Sequence, residues 1–180
     1  ERCRKILSSL TALGEGEENT PFERIPISGL AEIAATPHRQ DGINIKITVK
    51  PAKNNVSAEP TVPRRAEILH GLNNVIENAV QFCTQQVDIS VTWDERTAKM
   101  EISDDGPGVT PSILVRLGEP YVSSRRKSGR MGLGVFIAKT LLERTGASMF
   151  FLNGQPLGAR IVISWPRKIL EDLSAERLKI

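Results

Sequence analysis

Only two cysteines, Cys3 and Cys83, occur among the 180 residues. They match neither a zinc-ligand spacing nor a disulfide framework. A reducing, cytoplasmic setting is therefore expected, with Cys83 acting as a small buried hydrophobe. No apolar run approaches the roughly 20 residues that cross a bilayer. The charged start, Glu1 to Lys5, does not read as a signal peptide. The chain itself is expected not to be membrane-bound. Charge of one sign is scarce too: the formal net charge is +3, with both signs mixed along the chain. A nucleic-acid partner is therefore not expected.

What is present suits one globular domain with a short appendage. Hydrophobic residues make up 39% and charged residues 25%, enough for a real core. Residues 1–13 carry Cys3, Ile6, Leu7, Leu10 and Leu13 at helical spacing, so the chain reads as a fragment entered in mid-helix. The polar, acidic stretch GEGEENT suits a linker. The expected divisions are 1–14 for the end of a helix, 15–20 for the linker, 21–166 for the main domain and 167–180 for a polar helical tail. In the main domain, Arg24 to Ile27 reads as a short edge strand and Ser28 as the cap of a helix over 29–35. Ile43, Ile45, Ile47 and Val49 alternate as a strand, and 50–63 reads as loop. Residues 64–82 and 132–144 are two strong helices, the second closed by Gly146. Strands are expected at 87–93 and 99–103, with a final hairpin at 147–152 and 159–165. This order predicts an α/β two-layer sandwich, a mixed sheet covered on one face by helices.

Three segments carry chemistry. Asn74 and Asn78 lie four apart on one helix face, where amides offer oxygens to a hard cation and nitrogens to phosphate; two solvated amides are the simpler alternative. Asp104-Asp105-Gly106-Pro107-Gly108 ends a strand. Its carboxylate can accept from an exocyclic amine and its glycines admit a flat ring, although the same residues also make an ordinary tight turn. Gly132-Leu133-Gly134 opens a helix, where free N–H groups and the positive dipole end attract anions. The lysine of a P-loop is missing, and no strand directly precedes the glycines as in a Rossmann unit.

In this order the three segments resemble the N, G1 and G2 boxes of the GHKL (Bergerat-fold) ATPases, which include histidine kinases, Hsp90-type chaperones, MutL and type II topoisomerases. The resemblance covers residues 20–166. Within that family it points to sensor histidine kinases. Hydrolytic members carry a water-activating Glu four residues before the metal-ligand Asn, and here that place holds Asn74, an amide that takes no proton. Glu77 faces about 100° away from Asn78 and is read as structural.

The resemblance implies ATP and Mg²⁺ as cofactors. It makes Asn78 the metal ligand and places Asn74 near the phosphates or metal. It puts Asp104 on the adenine amine, Gly106 and Gly108 around the base, and Gly132, Leu133 and Gly134 at the phosphates. Residues 110–131 would form a lid whose Arg125, Arg126 and Lys127 can pair with the triphosphate. Three departures stand out: Gln81 occupies a position that is often basic, LGEPYV keeps Pro and an aromatic but no Phe pair, and Arg130 sits where small residues are common.

EPYVSSR, GLGVFIAKTLLERTGA and ERCRKIL further resemble the RegB/PrrB/ActS branch of redox-responsive sensor kinases. This implies an acceptor histidine upstream of the fragment, since neither His38 nor His70 fits the acceptor motif. It also implies a homodimer in the full-length protein, a response regulator as partner, and an inner-membrane anchor on a bacterial protein whose cytoplasmic part this is. Cys3 falls at the branch's redox cysteine, flanked by Arg2 and Arg4, which favour the thiolate; an ordinary interface thiol is the alternative. Two other functional readings stay open, a GHKL-type conformational ATPase and a non-catalytic nucleotide-binding module.

Overall fold

Apolar residues at every second position decide which face of the sheet is covered. The computed structural model describes residues 24–39, 42–122, 132–154 and 157–173. In chain order these form β1 (Arg24–Pro26), α1 (Ile27–Ala35), a 3₁₀ turn (Thr36–His38), β2 (Asn44–Pro51), β3 (Thr61–Pro63), α2 (Ala66–Phe82), β4 (Gln86–Trp93) and β5 (Thr97–Asp104). There follow α3 (Pro111–Leu114), α4 (Gly134–Glu143), β6 (Ser148–Asn153), β7 (Ala159–Pro166) and α5 (Arg167–Asp172).

The main sheet has the order β2-β4-β5-β7-β6. β2 and β4 run parallel and every other pair antiparallel. In β4, Val87, Ile89, Val91 and Trp93 point inward and meet Met100 and Ile102 of β5 and Ile161, Ile163 and Trp165 of β7. Helices α1, α2 and α4 cover that face through Leu30, Ile68, Leu72, Ile76, Ala138 and Leu142, all at most 1% exposed. This is the two-layer α/β sandwich expected from the sequence. Burying so many aliphatic side chains, at about 1.5–3 kcal/mol each, is what holds the layers together.

Four expectations need correction. Ser28 does not cap α1: the helix begins at Ile27 after Pro26, which has no capping side chain. Glu59 substitutes from a distant loop, its Oε1 accepting the Ser28 N–H at 2.8 Å, a favourable place for an anion. Residues 50–63 are not all loop, because β3 pairs antiparallel with β1 as a separate two-stranded ribbon. β1 is therefore not an edge of the main sheet. The second strong helix starts at Gly134 and not at 132, since Gly132 has φ +65°, a conformation that a right-handed helix excludes. Finally, the helix beyond Pro166 is not simply polar, for Leu170 is fully buried and α5 packs on β3, β5 and β7. Residues 1–23, which include the expected N-terminal helix and linker, and the end of the tail, 174–180, lie outside the described residues.

α2 and α4 cross closely at Gly71, where an added Cβ would stand 2.6 Å from Cγ of Leu142. Leu142 is itself fully buried and has nowhere to move. An alanine in a helix interior normally gains about 1 kcal/mol over glycine, but overpacking costs about 1–3 kcal/mol. Gly71→Ala should therefore lower the urea midpoint. Gly29→Ala in α1, where the new Cβ meets Ile25 at an ordinary 3.7 Å, should raise it. A rise with Gly71→Ala would show that the two helices are not in contact as described.

Candidate functional site

β5 ends in Asp104, paired to Val87 of β4. Its Oδ1 accepts the N–H of Gly106 at 2.9 Å and of Ala159 at 3.3 Å. Its Oδ2 has no protein partner among the described residues. Burial pushes this carboxyl above its usual range, the two backbone N–H bonds pull it back, and the neighbouring Asp105 charge adds to the rise. A half-buried carboxylate with one oxygen committed to the scaffold thus presents the other as an open acceptor.

Glycine is required around Asp104 because backbone approaches backbone there. A Cβ at Gly106 would collide with the Phe82 carbonyl, and one at Gly158 with the Asp104 carbonyl. Gly108 takes φ +75° and lies against Asn153 and the Gly158 carbonyl, the nearest atoms at 3.0 and 3.1 Å from where its Cβ would be. The next residue, Asp105, faces the other way. Its carboxylate accepts the Thr84 N–H at 2.7 Å and the Gln85 N–H at 3.1 Å, tying the exit of α2 to the exit of β5.

α2 runs along the site. Asn74, Asn78 and Phe82 lie four apart and share one face, so they span about 12 Å at 1.5 Å per residue. Phe82 marks the Gly106 end. At the other end, Asn74 Oδ1 stands 3.8 Å from where a Cβ of Gly134 would be, and Asn74 Nδ2 donates to the His70 carbonyl at 2.8 Å. Asn78 lies between the two glycine segments, half-buried, with no protein partner among the described residues for its amide. Leu133 precedes the first residue of α4, so the amide-rich end of that helix opens beside Asn74. Gly132 meets Val122: a Cβ there would lie 2.7 Å from the Val122 carbonyl.

The structure thus brings Gly134 beside Asn74 at one end of α2 and Gly106, with Asp104, beside Phe82 at the other, with Asn78 between them on the helix. Gly108 joins Asp104 through Gly158, and Gly132 and Leu133 lead into α4. Arg125, Arg126 and Cys3 lie outside the described residues, as does Lys127. Glu77 is exposed and accepts from Gln81 Nε2 at 3.0 Å. His38 Nε2 is 2.9 Å from Asn73 Oδ1. Cys83 is half-buried and not fully so; its thiol is pushed up by burial, then by the charges of Asp105 and Asp104. Sequence reasoning did not single out Asn153, Gly158 or the carboxylate of Asp105. Asn153-Gly154 and Gly158 carry ordinary turn residues, and only the register of β6 and β7 turns them toward Asp104.

Residues 64–169 match the family model described as histidine kinase-, DNA gyrase B-, and HSP90-like ATPase. The chain belongs to this family of ATPases. Sensor histidine kinase RegB of Cereibacter sphaeroides is 36% identical over 186 residues, covering 92% of this chain and 40% of that protein. Sporulation kinase A of Bacillus subtilis is 26% identical, covering 93% of this chain and 27% of that protein. The chain therefore spans well under half the length of these relatives. Among solved structures, the mycobacterial sensor histidine kinase MprB superposes with a TM-score of 0.66 at 22% identity, covering 80% of this chain and 97% of that chain. Full-length ShkA in complex with AMPPNP gives 0.65 at 22% identity, covering 92% of this chain and 36% of that chain. Both likenesses bear on the fold, a Bergerat-type sandwich.

Burial pushes the Asp105 carboxyl up, but the backbone N–H groups of Gln86, Gln85 and Thr84 outweigh it and hold the carboxyl below its usual value. A folded-state pKa below the unfolded one, about 3.9, contributes stability that is present above the unfolded value. That stability is lost as pH falls through the folded one. The denaturation midpoint should therefore drop on acidification below about pH 4. Asp105→Asn should be less stable at neutral pH and lose less on acidification. An equal pH dependence in both proteins would remove Asp105 from this role.

Proposed function

We propose that this chain is the nucleotide-binding catalytic domain of a two-component sensor histidine kinase. It would transfer the γ-phosphoryl group of ATP to a histidine supplied from outside this chain, and from there to a response regulator. The observation that carries the reading is Asn74. It stands at the phosphate end of the site as an amide bonded back to the His70 carbonyl, and an amide takes no proton from water. A domain so built holds ATP for another acceptor instead of hydrolysing it.

The roles follow the geometry. Oδ2 of Asp104 would accept the exocyclic amine of adenine, with Gly106 and Gly108 admitting the flat base. Asn78 fits a Mg²⁺ ligand, because its amide is unengaged by protein among the described residues and lies between the base and phosphate ends. Bound there, Mg²⁺ supplies charge neutralisation on the phosphates. The N-terminal amides of α4 at Leu133 and Gly134, approached through Gly132, would stabilise the negative charge that develops during transfer. Arg125 and Arg126 would pair with the triphosphate. Gln81, engaged with Glu77, supplies no positive charge. Residues 21–166 would be the catalytic body, 1–14 the end of a dimerisation helix and 15–20 the linker. The full-length protein would be a homodimer anchored in the inner membrane, this part lying in the cytoplasm, with Cys3 as its redox thiol.

Calorimetric titration of Mg·ATP into the chain and into Asp104→Asn tests the reading. The substitution keeps the acceptor toward Gly106 and Ala159 but turns a donor toward the adenine amine. Loss of a hydrogen bond to a charged group predicts roughly 10- to 100-fold weaker binding. The unmutated chain should show neither steady ATP hydrolysis nor self-phosphorylation; a steady rate would favour a conformational ATPase. No ATP binding at all would favour a non-catalytic module.

Affinity should also depend on pH. The Asp104 carboxyl is a pure acceptor only when ionised. Once it is protonated, Oδ2 carries the hydrogen and turns a donor toward the amine, because Oδ1 is held by two N–H groups. Burial holds the pKa of this carboxyl above the usual range. Binding should therefore weaken on acidification at a higher pH than an ordinary aspartate would give. A flat affinity across the acid limb would exclude Asp104 as the acceptor.

A further inference from the structure

Asn153, the last residue of β6, makes a two-point contact with Val109. Its Oδ1 accepts the Val109 N–H at 2.8 Å and its Nδ2 donates to the Val109 carbonyl at 2.8 Å. One side chain thus satisfies both polar groups of a single peptide segment, as a partner strand would. The same Oδ1 lies 3.0 Å from where a Cβ of Gly108 would be. Two residues earlier on the strand, Phe151 supports the other end of the segment, its ring 3.2 Å from the Cβ position of Gly118. Residues 108–118 are therefore carried on the C-terminal half of β6. Gly108 has positive φ and no side chain to anchor it, so the backbone path beside Asp104 is set from outside by the Asn153 carboxamide.

We propose that Asn153 is a positioning residue of the nucleotide site. It holds Gly108–Val109 in the conformation that admits the base beside Asp104, without itself touching nucleotide. The proposal rests on the reading of the site as an ATP pocket. Asn153 is exposed and lies outside the hydrophobic core, so its replacement leaves the packing of the fold intact. Its contribution lies in geometry, for the pairing works only with a donor and an acceptor side by side. Both alanine and the isosteric aspartate destroy it. Ionised aspartate retains the acceptor for the Val109 N–H but sets a second acceptor against the Val109 carbonyl.

The test is calorimetric titration of Mg·ATP into the unmutated chain, Asn153→Ala and Asn153→Asp at neutral pH, with a thermal melt of each. Both variants should bind Mg·ATP roughly tenfold more weakly, the scale of two net hydrogen bonds. Their melting temperatures should fall by no more than about 3–6 °C, the cost of the same two bonds in a chain of this length. Unchanged affinity in both variants overturns the proposal and leaves the ATP reading standing. Retention by Asn153→Asp with loss in Asn153→Ala also overturns it, since volume or the single acceptor, and not the two-point pairing, would then matter. A loss of affinity that comes with a large fall in melting temperature reduces Asn153 to a structural residue. Failure of the unmutated chain to bind Mg·ATP removes the ATP reading itself, and this proposal with it.

Discussion

The tie between the exit of α2 and the exit of β5 is the constraint on which the site depends. Asp105 takes the N–H groups of Thr84 and Gln85, the two residues just past the C-cap of α2. With that join made, the Phe82 carbonyl comes so close to Gly106 that no side chain fits between them. The neighbouring Asp104 then faces the opposite side and meets Gly106 and Ala159. Two adjacent carboxylates therefore hold opposed duties. One is spent on structure and is pulled down by backbone donors, whereas the other is pushed up by burial and keeps an oxygen for chemistry.

Much of this layout is written in local patterns. The alternation in β4 and β5 and the apolar stripe of α2 are strong periodic signals, and they placed the sheet and the long helix within a residue or two. The candidate site stood out in the sequence for a related reason, because Asn74, Asn78, Asp104 and the glycines fall at spacings that make sense together. What escaped were features made by distant partners. Glu59 serves as the cap of α1 across 31 residues, and β3 exists only because β1 pairs with it. Asn153 is separated from Val109 by 44 residues. No local propensity contains such pairings. The amphipathic character of α5 was missed too, since one buried leucine in a charged stretch, Leu170, gives little periodicity.

The packing around Trp165 shows how the far end of the sheet supports the near one. Its Nε1 donates to Thr145 Oγ1, which in turn donates to the Leu142 carbonyl. A fully buried indole and a buried hydroxyl thus satisfy one another and fix the end of α4 to β7. Arg167 does similar work at the surface, reaching Ser57 Oγ and the carbonyls of Ala58 and Asp94. These bonds keep the loop after β2 and the β4–β5 turn in place, so that the strands keep the register that delivers Asp104 and Ala159 to the same spot.

The division of labour between the two oxygens of Asp104 has an entropic consequence. A carboxylate waiting in solvent would have to surrender its rotamer freedom when a ligand arrived, at a cost of about 0.5–1.5 kcal/mol for an immobilised side chain. Here Oδ1 is already held by two backbone donors, so that freedom is surrendered when the chain folds. Whatever arrives at Oδ2 meets an acceptor that no longer has to be ordered, and more of the interaction energy is left to appear as affinity.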